Sequence, residues 1–486
     1  MEKSILKNIA INFTGLVLPV FVSLVTVPAY IRGMGLERYG VNNLVWAVIG
    51  YCAVFDFGVA QATENRISRV RDAQTDVAQH IFWSAVFLNL VTGCVAGLLL
   101  WAGGWFCVER FSMVEPQFQA EVLRALPWIA LAIPIGNVSL VFAGAINAME
   151  RFRLFNINQT IGTFLFQLLP LAALFVFSPS LEIVVPAAVI ARIMLALMLG
   201  LGAVRAIHVT RVLKLDWAVV KELVGYGRWI VLYTGASAIS TSLDRMVVGS
   251  MLGAKAVAYY VTPQNLVSRL DMLPGAVCRT LFPRLSGAER SDADEISRQS
   301  LAFLNFVFTP CVIVGMFALA PFLDVWLGHE MAQQCAPVGR IVLLSVWIAG
   351  QSSLLCVLLQ ANASPVRVAA VGWVGLPVYA VLLWVGIRWD GIVGAGLALV
   401  AKTLLDYGAF LVFSGLDARP LLRNMTGHVM SVAIAMLCAG SIDSLFGMAA
   451  AALGLIACSL AWSLWQSHEL REVVMHVRRR FLPSLS

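Results

Sequence analysis

The chain is short of charge. Only 13% of its 486 residues are Asp, Glu, Lys or Arg, while 60% are hydrophobic. A soluble domain carries about 25% charged and about 45–50% apolar residues. So few charges cannot cover a water-exposed surface of this size. A soluble enzyme, a disordered chain and a nucleic-acid binder are therefore excluded. The nine cysteines show no metal or disulfide spacing. Most lie in apolar runs, where Cys acts as a small hydrophobe; Cys107 and Cys335 can both face outward, which leaves a bridge between them open without support from the spacing. The six histidines are scattered and suggest no metal site. No Walker loop is present, so ATP is not used directly. Asp56-Phe57-Gly58 stands without the catalytic and glycine loops of a kinase. Long polar loops are also missing. The longest connections, 103–121 and 205–227, are too short for a soluble domain, so the membrane helices must do the work.

Long apolar runs are what the sequence has. A spanning helix needs roughly 20 mostly apolar residues. Fourteen runs qualify or nearly so: 9–31, 41–63, 80–102, 122–147, 156–177, 182–204, 228–252, 256–283, 300–326, 337–359, 367–387, 391–413, 425–440 and 445–466. The first is too long for a signal peptide and no small-residue cleavage pattern closes it, so it reads as a retained helix. Lys and Arg then set the orientation. Between spans, 22 fall on the side of the N-terminus, among them Arg66, Arg151, Arg153, Arg205, Arg419 and Arg423, and 7 on the other. Cytoplasmic flanks are enriched in such residues, so both termini are expected in the cytoplasm. The tail, with Arg478, Arg479 and Arg480 beside an apolar helical stripe, fits the inner headgroup layer.

An internal repeat is visible at an offset of 218. Met34-Gly35-Leu36 joins spans one and two, and Leu252-Gly253-Ala254 joins spans seven and eight. Arg66-Ile67-Ser68 and Arg284-Leu285-Ser286 end spans two and eight. Six spans separate the copies, which predicts two six-helix bundles of the same orientation.

Ionisable groups inside spans are costly and usually face a protein interior or a wet cavity. Arg192, Arg245, Arg269, Arg279, Lys402, Asp56, Asp244, Asp271 and Asp406 stand out. Helical spacing gathers polar residues into stripes on spans one (Asn8, Asn12, Ser23, Thr26), two (Cys52, Asp56, Ala60, Thr63), seven (Tyr233, Ser237, Thr241, Asp244) and eight (Thr262, Asn265, Arg269). These spans are equivalent pairs under the repeat, which predicts a polar cavity between two bundles. The cations exceed the carboxylates by one. Arg presents a fixed fork of donors that suits phosphate oxygens, so an anionic, phosphate-bearing substrate is favoured over a cationic drug. Arg269, Arg279, Arg245, Arg192, Lys402, Asn12 and Asn265 are the candidate substrate contacts. Asp56, Asp244, Asp271 and Asp406 are the candidate coupling or gating carboxylates, for H+ or Na+; no cofactor or metal is expected. The bland alternative is internal pairing, above all for Lys402 and Asp406, which are four apart. Prolines in spans one (Pro19, Pro28) and eight (Pro263, Pro274, Pro283) should kink those helices.

These residues also carry a resemblance. Asn8-x-x-x-Asn12-x-x-Gly15-x-x-x-Pro19, Pro28-x-Tyr30, Gly33-Met34-Gly35-Leu36-Glu37-Arg38-Tyr39-Gly40, Gly50-Tyr51 through Asp56-Phe57-Gly58, and Leu243-Asp244-Arg245-Met246-Val247-Val248-Gly249 resemble bacterial polysaccharide flippases. These belong to the multidrug/oligosaccharidyl-lipid/polysaccharide exporter superfamily. The resemblance covers about 1–70 and 228–290; Lys255 and Ala258 depart from the family's pattern. It implies an all-α polytopic membrane protein with two pseudo-symmetric six-helix bundles around a central cavity and two extra helices. In this chain that means bundles at 1–204 and 228–413, an inter-bundle loop at 205–227, extra helices at 414–466 and a basic tail at 467–486. It implies translocation of undecaprenyl-diphosphate-linked oligosaccharides, such as O-antigen units, by alternating access, with Asp56, Asp244 and the span-eight arginines as important positions. The partners implied are the lipid-linked oligosaccharide, membrane lipids, and the polysaccharide polymerase and chain-length machinery. A lipid II-type flippase, an ion-coupled drug antiporter of the same superfamily, and a membrane polymerase or glycosyltransferase remain as alternatives.

Overall fold

The computed structural model describes residues 21–70, 75–110, 116–209, 216–286, 290–361, 365–442, 444–467 and 471–472. The described residues are helical almost throughout. The helices are α1 (Phe21–Met34), α2 (Leu36–Cys52), α3 (Val59–Val70), α4 (Thr75–Arg110), α5 (Pro116–Ala148), α6 (Phe152–Val176), α7 (Leu181–Ile207), α8 (Trp217–Leu252), α9 (Ala254–Val267), α10 (Met272–Ser286), α11 (Arg290–Leu327), α12 (His329–Ala361), α13 (Pro365–Ser414), α14 (Ala418–Cys438) and α15 (Leu445–Gln466). Nine of them are long and apolar enough to cross a membrane. Of the other expected spans, the seventh is α8, the second and eighth are each divided between two shorter helices, and the first is described only from Phe21, its residues 9–20 lying outside the described residues. α13 holds two of the expected runs, broken at Asp390 and Gly391, where the backbone leaves helical geometry. The chain is a multi-pass membrane protein.

Spans two and eight are each broken, and by the same device. A four-residue 3-10 segment, Ala53–Asp56, separates α2 from α3, and another, Ser268–Asp271, separates α9 from α10. In span eight the cause is proline. Pro274 stands in the first turn of α10, where its ring opposes the carbonyl of Leu270 and it has no N–H to give. In span two the cause is a turn. Phe57 and Gly58 both take positive φ, 50° and 68°, and the Asp56 carboxylate accepts from the Ala60 N–H at 3.3 Å, capping the new helix. This corrects one expectation. Cys52, Asp56, Ala60 and Thr63 do not form a single helical stripe, because the helical phase is lost between them. The repeat is repeated in the backbone as well. Gly35 and Gly253, 218 residues apart, take φ of 82° and 85°, and each joins two consecutive helices.

Two compact units divide the chain, Met1–Ala258 and Tyr259–Ser486, with the boundary inside α9. The first has a core of Val41, Val45 and Ile49 from α2, Val122 and Ile129 from α5, and Val185 and Val189 from α7. Within it α4 packs along α5. On α4, Gly93 and Gly97 make a small-xxx-small surface; a Cβ on Gly93 would lie 2.6 Å from the Pro134 Cα, and one on Gly97 2.7 Å from the Ala130 carbonyl oxygen. Near one end of the unit, Glu121 of α5 accepts from the Arg38 guanidinium at 2.9 Å and from the Leu181 N–H at 2.9 Å, tying α5 to α2 and α7. At the other end Arg66 of α3 pairs with Glu222 of α8.

In the second unit, α12 packs on both α11 and α13. Trp347 donates to Thr309 at 3.1 Å. Cys335 is a buried free thiol; the Cys107 side chain lies outside the described residues. His428 of α14 is buried, bonded through Nδ1 to Ser459 at 2.9 Å and through Nε2 to Ser463 at 3.2 Å, which fastens α14 to α15.

Candidate functional site

The first unit contains a cavity of about 410 Å³ between α2, α5, α6 and α7. That volume lies within the range of small-molecule sites. Arg192, near the middle of α7, reaches it. Its guanidinium lies over the Trp46 ring at 4.7 Å and the Phe166 ring at 5.3 Å. The two rings meet edge to face at 4.8 Å and form an aromatic corner. Among the described residues Arg192 makes no ion pair. A charge within a membrane helix is costly unless something compensates it; here the ring quadrupoles do so in part. The forked N–H edge that suits an oxyanion has no carboxylate neutralising it. Asn137, Gln159 and Thr163 add polar groups to the walls.

Asn137 connects this cavity to the break in span two. Its carbonyl accepts from Asn89 Nδ2 at 3.1 Å, and the same Nδ2 donates to Asp56 Oδ1 at 2.5 Å. Asp56, Asn89 and Asn137 are all buried. Among the described residues, Asn89 Oδ1 and Asn137 Nδ2 have no hydrogen-bond partner. Buried polar atoms are nearly always satisfied, so this cluster has room for one more donor and one more acceptor. Asp56 thus has a structural duty, as cap and hydrogen-bond acceptor, and is linked through Asn89 to Asn137 in the wall of the cavity that Arg192 enters.

The other expected residues fall in several places. Asp244 is buried on α8 and accepts from the Arg245 N–H at 2.8 Å. Arg245 is half-buried beside it. In the second unit, Lys402 and Asp406 of α13 form an ion pair at 2.7 Å, largely shielded from solvent. Arg269 and Asp271 both belong to the 3-10 break of span eight, and both are exposed. Asn265 is half-buried on α9. Asn12 and the side chain of Arg279 lie outside the described residues. Four contributors were not anticipated: Trp46, Phe166, Asn89 and Asn137. Each sits in an apolar run, and only its long-range neighbour gives it meaning.

The family model described as "Polysaccharide biosynthesis protein" matches residues 5–289. The chain belongs to this family. A curated relative, the "Putative O-antigen transporter" of Shigella flexneri, is 26% identical over 413 residues, covering 83% of this chain and 96% of the relative. Among solved structures, the lipid II flippase MurJ in its inward-closed conformation superposes with a TM-score of 0.70 at 13% identity, covering 96% of this chain and 99% of that one. An inward-facing multidrug resistance transporter of the MATE family, from the MOP superfamily, gives 0.65 at 12% identity, covering 81% and 93%. This member of the polysaccharide biosynthesis family therefore has the transporter fold that those proteins share.

Proposed function

We propose that the chain is a flippase that carries undecaprenyl-diphosphate-linked oligosaccharide units across the bacterial inner membrane by alternating access, for surface polysaccharide assembly. One observation carries the reading: a guanidinium without a carboxylate partner among the described residues, held on an aromatic corner at the wall of an intramembrane cavity. A drug antiporter that selects cations has no use for such a group, whereas a diphosphate needs one. Family membership and the relative from Shigella flexneri support the polysaccharide branch. Asp56, with Asn89 and Asn137, is the proposed coupling site for H+ or Na+. Lys402, Asp406, Asp244, Arg245, Arg269, Asp271, Asn265, Arg279 and Asn12 are proposed as further contacts or gates. The bundles at 1–204 and 228–413, the extra helices at 414–466, the cytoplasmic termini and the contacts with polymerase and chain-length machinery belong to the same proposal.

A lipid II-type flippase is the second reading, because the likeness to MurJ extends over 96% of the chain. Deleting the gene tests both. The first reading expects complete lipid-linked oligosaccharides to accumulate on the cytoplasmic leaflet of viable cells. Accumulation of lipid II with lysis selects the second reading, and undisturbed export of both overturns the proposal.

A further inference from the structure

A second polar site lies at one end of the first unit. A pocket of about 640 Å³ opens where the α5–α6 turn meets the end of α7. Arg151, Arg153 and Arg205 line it, with Glu150, Leu154 and Ile157. None of the three arginines makes an ion pair among the described residues. Three cations from two chain segments therefore converge on a single space that contains one carboxylate. The tight turn brings them together: Glu150 takes a positive φ of 54°, and the Arg151 N–H returns to the Ile146 carbonyl at 3.1 Å.

Arginines flanking a span ordinarily do no more than set orientation. What distinguishes these three is the surface that leads to them. On α6, Arg153, Ile157, Ile161 and Leu168 share one helical face, and the three apolar members are 42%, 40% and 45% exposed. On α7, Leu197, Leu201 and Arg205 repeat the pattern, with Leu197 61% and Leu201 59% exposed. Adjacent helices thus each present a lipid-facing apolar stripe that ends in an arginine at the pocket. We infer that the pocket binds the phosphate headgroup of an anionic phospholipid, whose acyl chains lie along the α6 and α7 stripes. Basic pockets between spans on the cytoplasmic side favour such headgroups. The inference stands independently of what the central cavity transports.

The test uses the purified full chain in a neutral detergent, titrated with phosphatidylglycerol or phosphatidylcholine and read by native mass spectrometry. The wild type is expected to retain phosphatidylglycerol at least about tenfold better than phosphatidylcholine, since each basic side chain near a headgroup contributes roughly fivefold. Arg151→Gln/Arg153→Gln/Arg205→Gln is expected to lose that preference, and Arg419→Gln/Arg423→Gln to keep it. If the triple variant does not fold, the three single glutamine variants are each expected to lose roughly fivefold. Equal retention of the two lipids by the wild type, or undiminished preference in the folded variants, overturns the inference. Displacement of phosphatidylglycerol by an equal concentration of undecaprenyl diphosphate overturns it too, and assigns the pocket to the transported lipid.

Discussion

Replacing Arg192 separates a functional charge from a structural one. A cation near the centre of a spanning helix costs roughly 3 kcal/mol on insertion scales. Against this stand two aromatic contacts, at 4.7 and 5.3 Å, each contributing about 1–2 kcal/mol when desolvated. The terms nearly cancel, and among the described residues Arg192 has no ion-pair partner whose charge would be stranded. Arg192→Leu is therefore expected to change folding stability by no more than about 1 kcal/mol, within the uncertainty of those two terms. Its effect on substrate should be far larger. A hydrogen bond to a charged group contributes about 1.5–3 kcal/mol, so losing one phosphate contact weakens affinity roughly 10- to 150-fold. Arg192→Lys keeps the charge but loses the planar fork, and should fall between. The assay is export of lipid-linked oligosaccharide in a deletion strain complemented at matched expression, with thermal melting of each purified variant alongside. Wild-type export by Arg192→Leu at substrate levels below saturation refutes the role given to Arg192. A large fall in melting temperature refutes the claim that its aromatic setting only balances its cost.

Asp56→Ala uncaps α3 and leaves Asn89 with a single acceptor, which should cost about 2–4 kcal/mol from a lost cap and a lost charged hydrogen bond. Asp56→Asn should regain most of that stability while slowing ion-coupled transport; full transport by the folded Asn variant removes Asp56 from the coupling scheme. Lys402→Ala strands the Asp406 carboxylate within α13, so its melting temperature should drop further than that of Lys402→Ala/Asp406→Ala; equal melting of the two variants shows that the pair carries no coupling energy. Gly93→Ala and Gly97→Ala press new methyl groups against the α5 backbone, and each should cost about 1–3 kcal/mol, read as lower melting in detergent; unchanged melting shows that α4 and α5 can separate freely.

Much of the fold was readable in advance because a spanning helix is long and apolar, so run length alone located α4 to α8 and α11 to α15. The pairing of Lys402 with Asp406 was likewise local, one helical turn apart. The 218-residue offset foretold the matching turns at Gly35 and Gly253 because a left-handed backbone position needs glycine in both copies. The breaks in spans two and eight were less legible. Pro274 signalled a kink in one, but in the other a run without proline concealed a helix that stops at Cys52. A buried carboxylate with its own helix to cap outweighed the cost of interrupting the ladder. The cavity was least legible of all. Trp46, Phe166 and Arg192 come from three helices, and no periodicity within one helix reports which aromatic ring another helix will place beneath its arginine.

The two broken spans bear on how force travels through the molecule. A continuous helix is a stiff rod, and a push at one end arrives at the other. Four residues of 3-10 geometry in the middle of a span, with a proline or a left-handed turn beside them, act as a flexible coupling instead. Tilt or rotation imposed on α2 need not reach α3, and the same holds for α9 and α10. Each span is therefore two short levers on one thread, so an event at one membrane face can reposition half a helix while the other half keeps its seal.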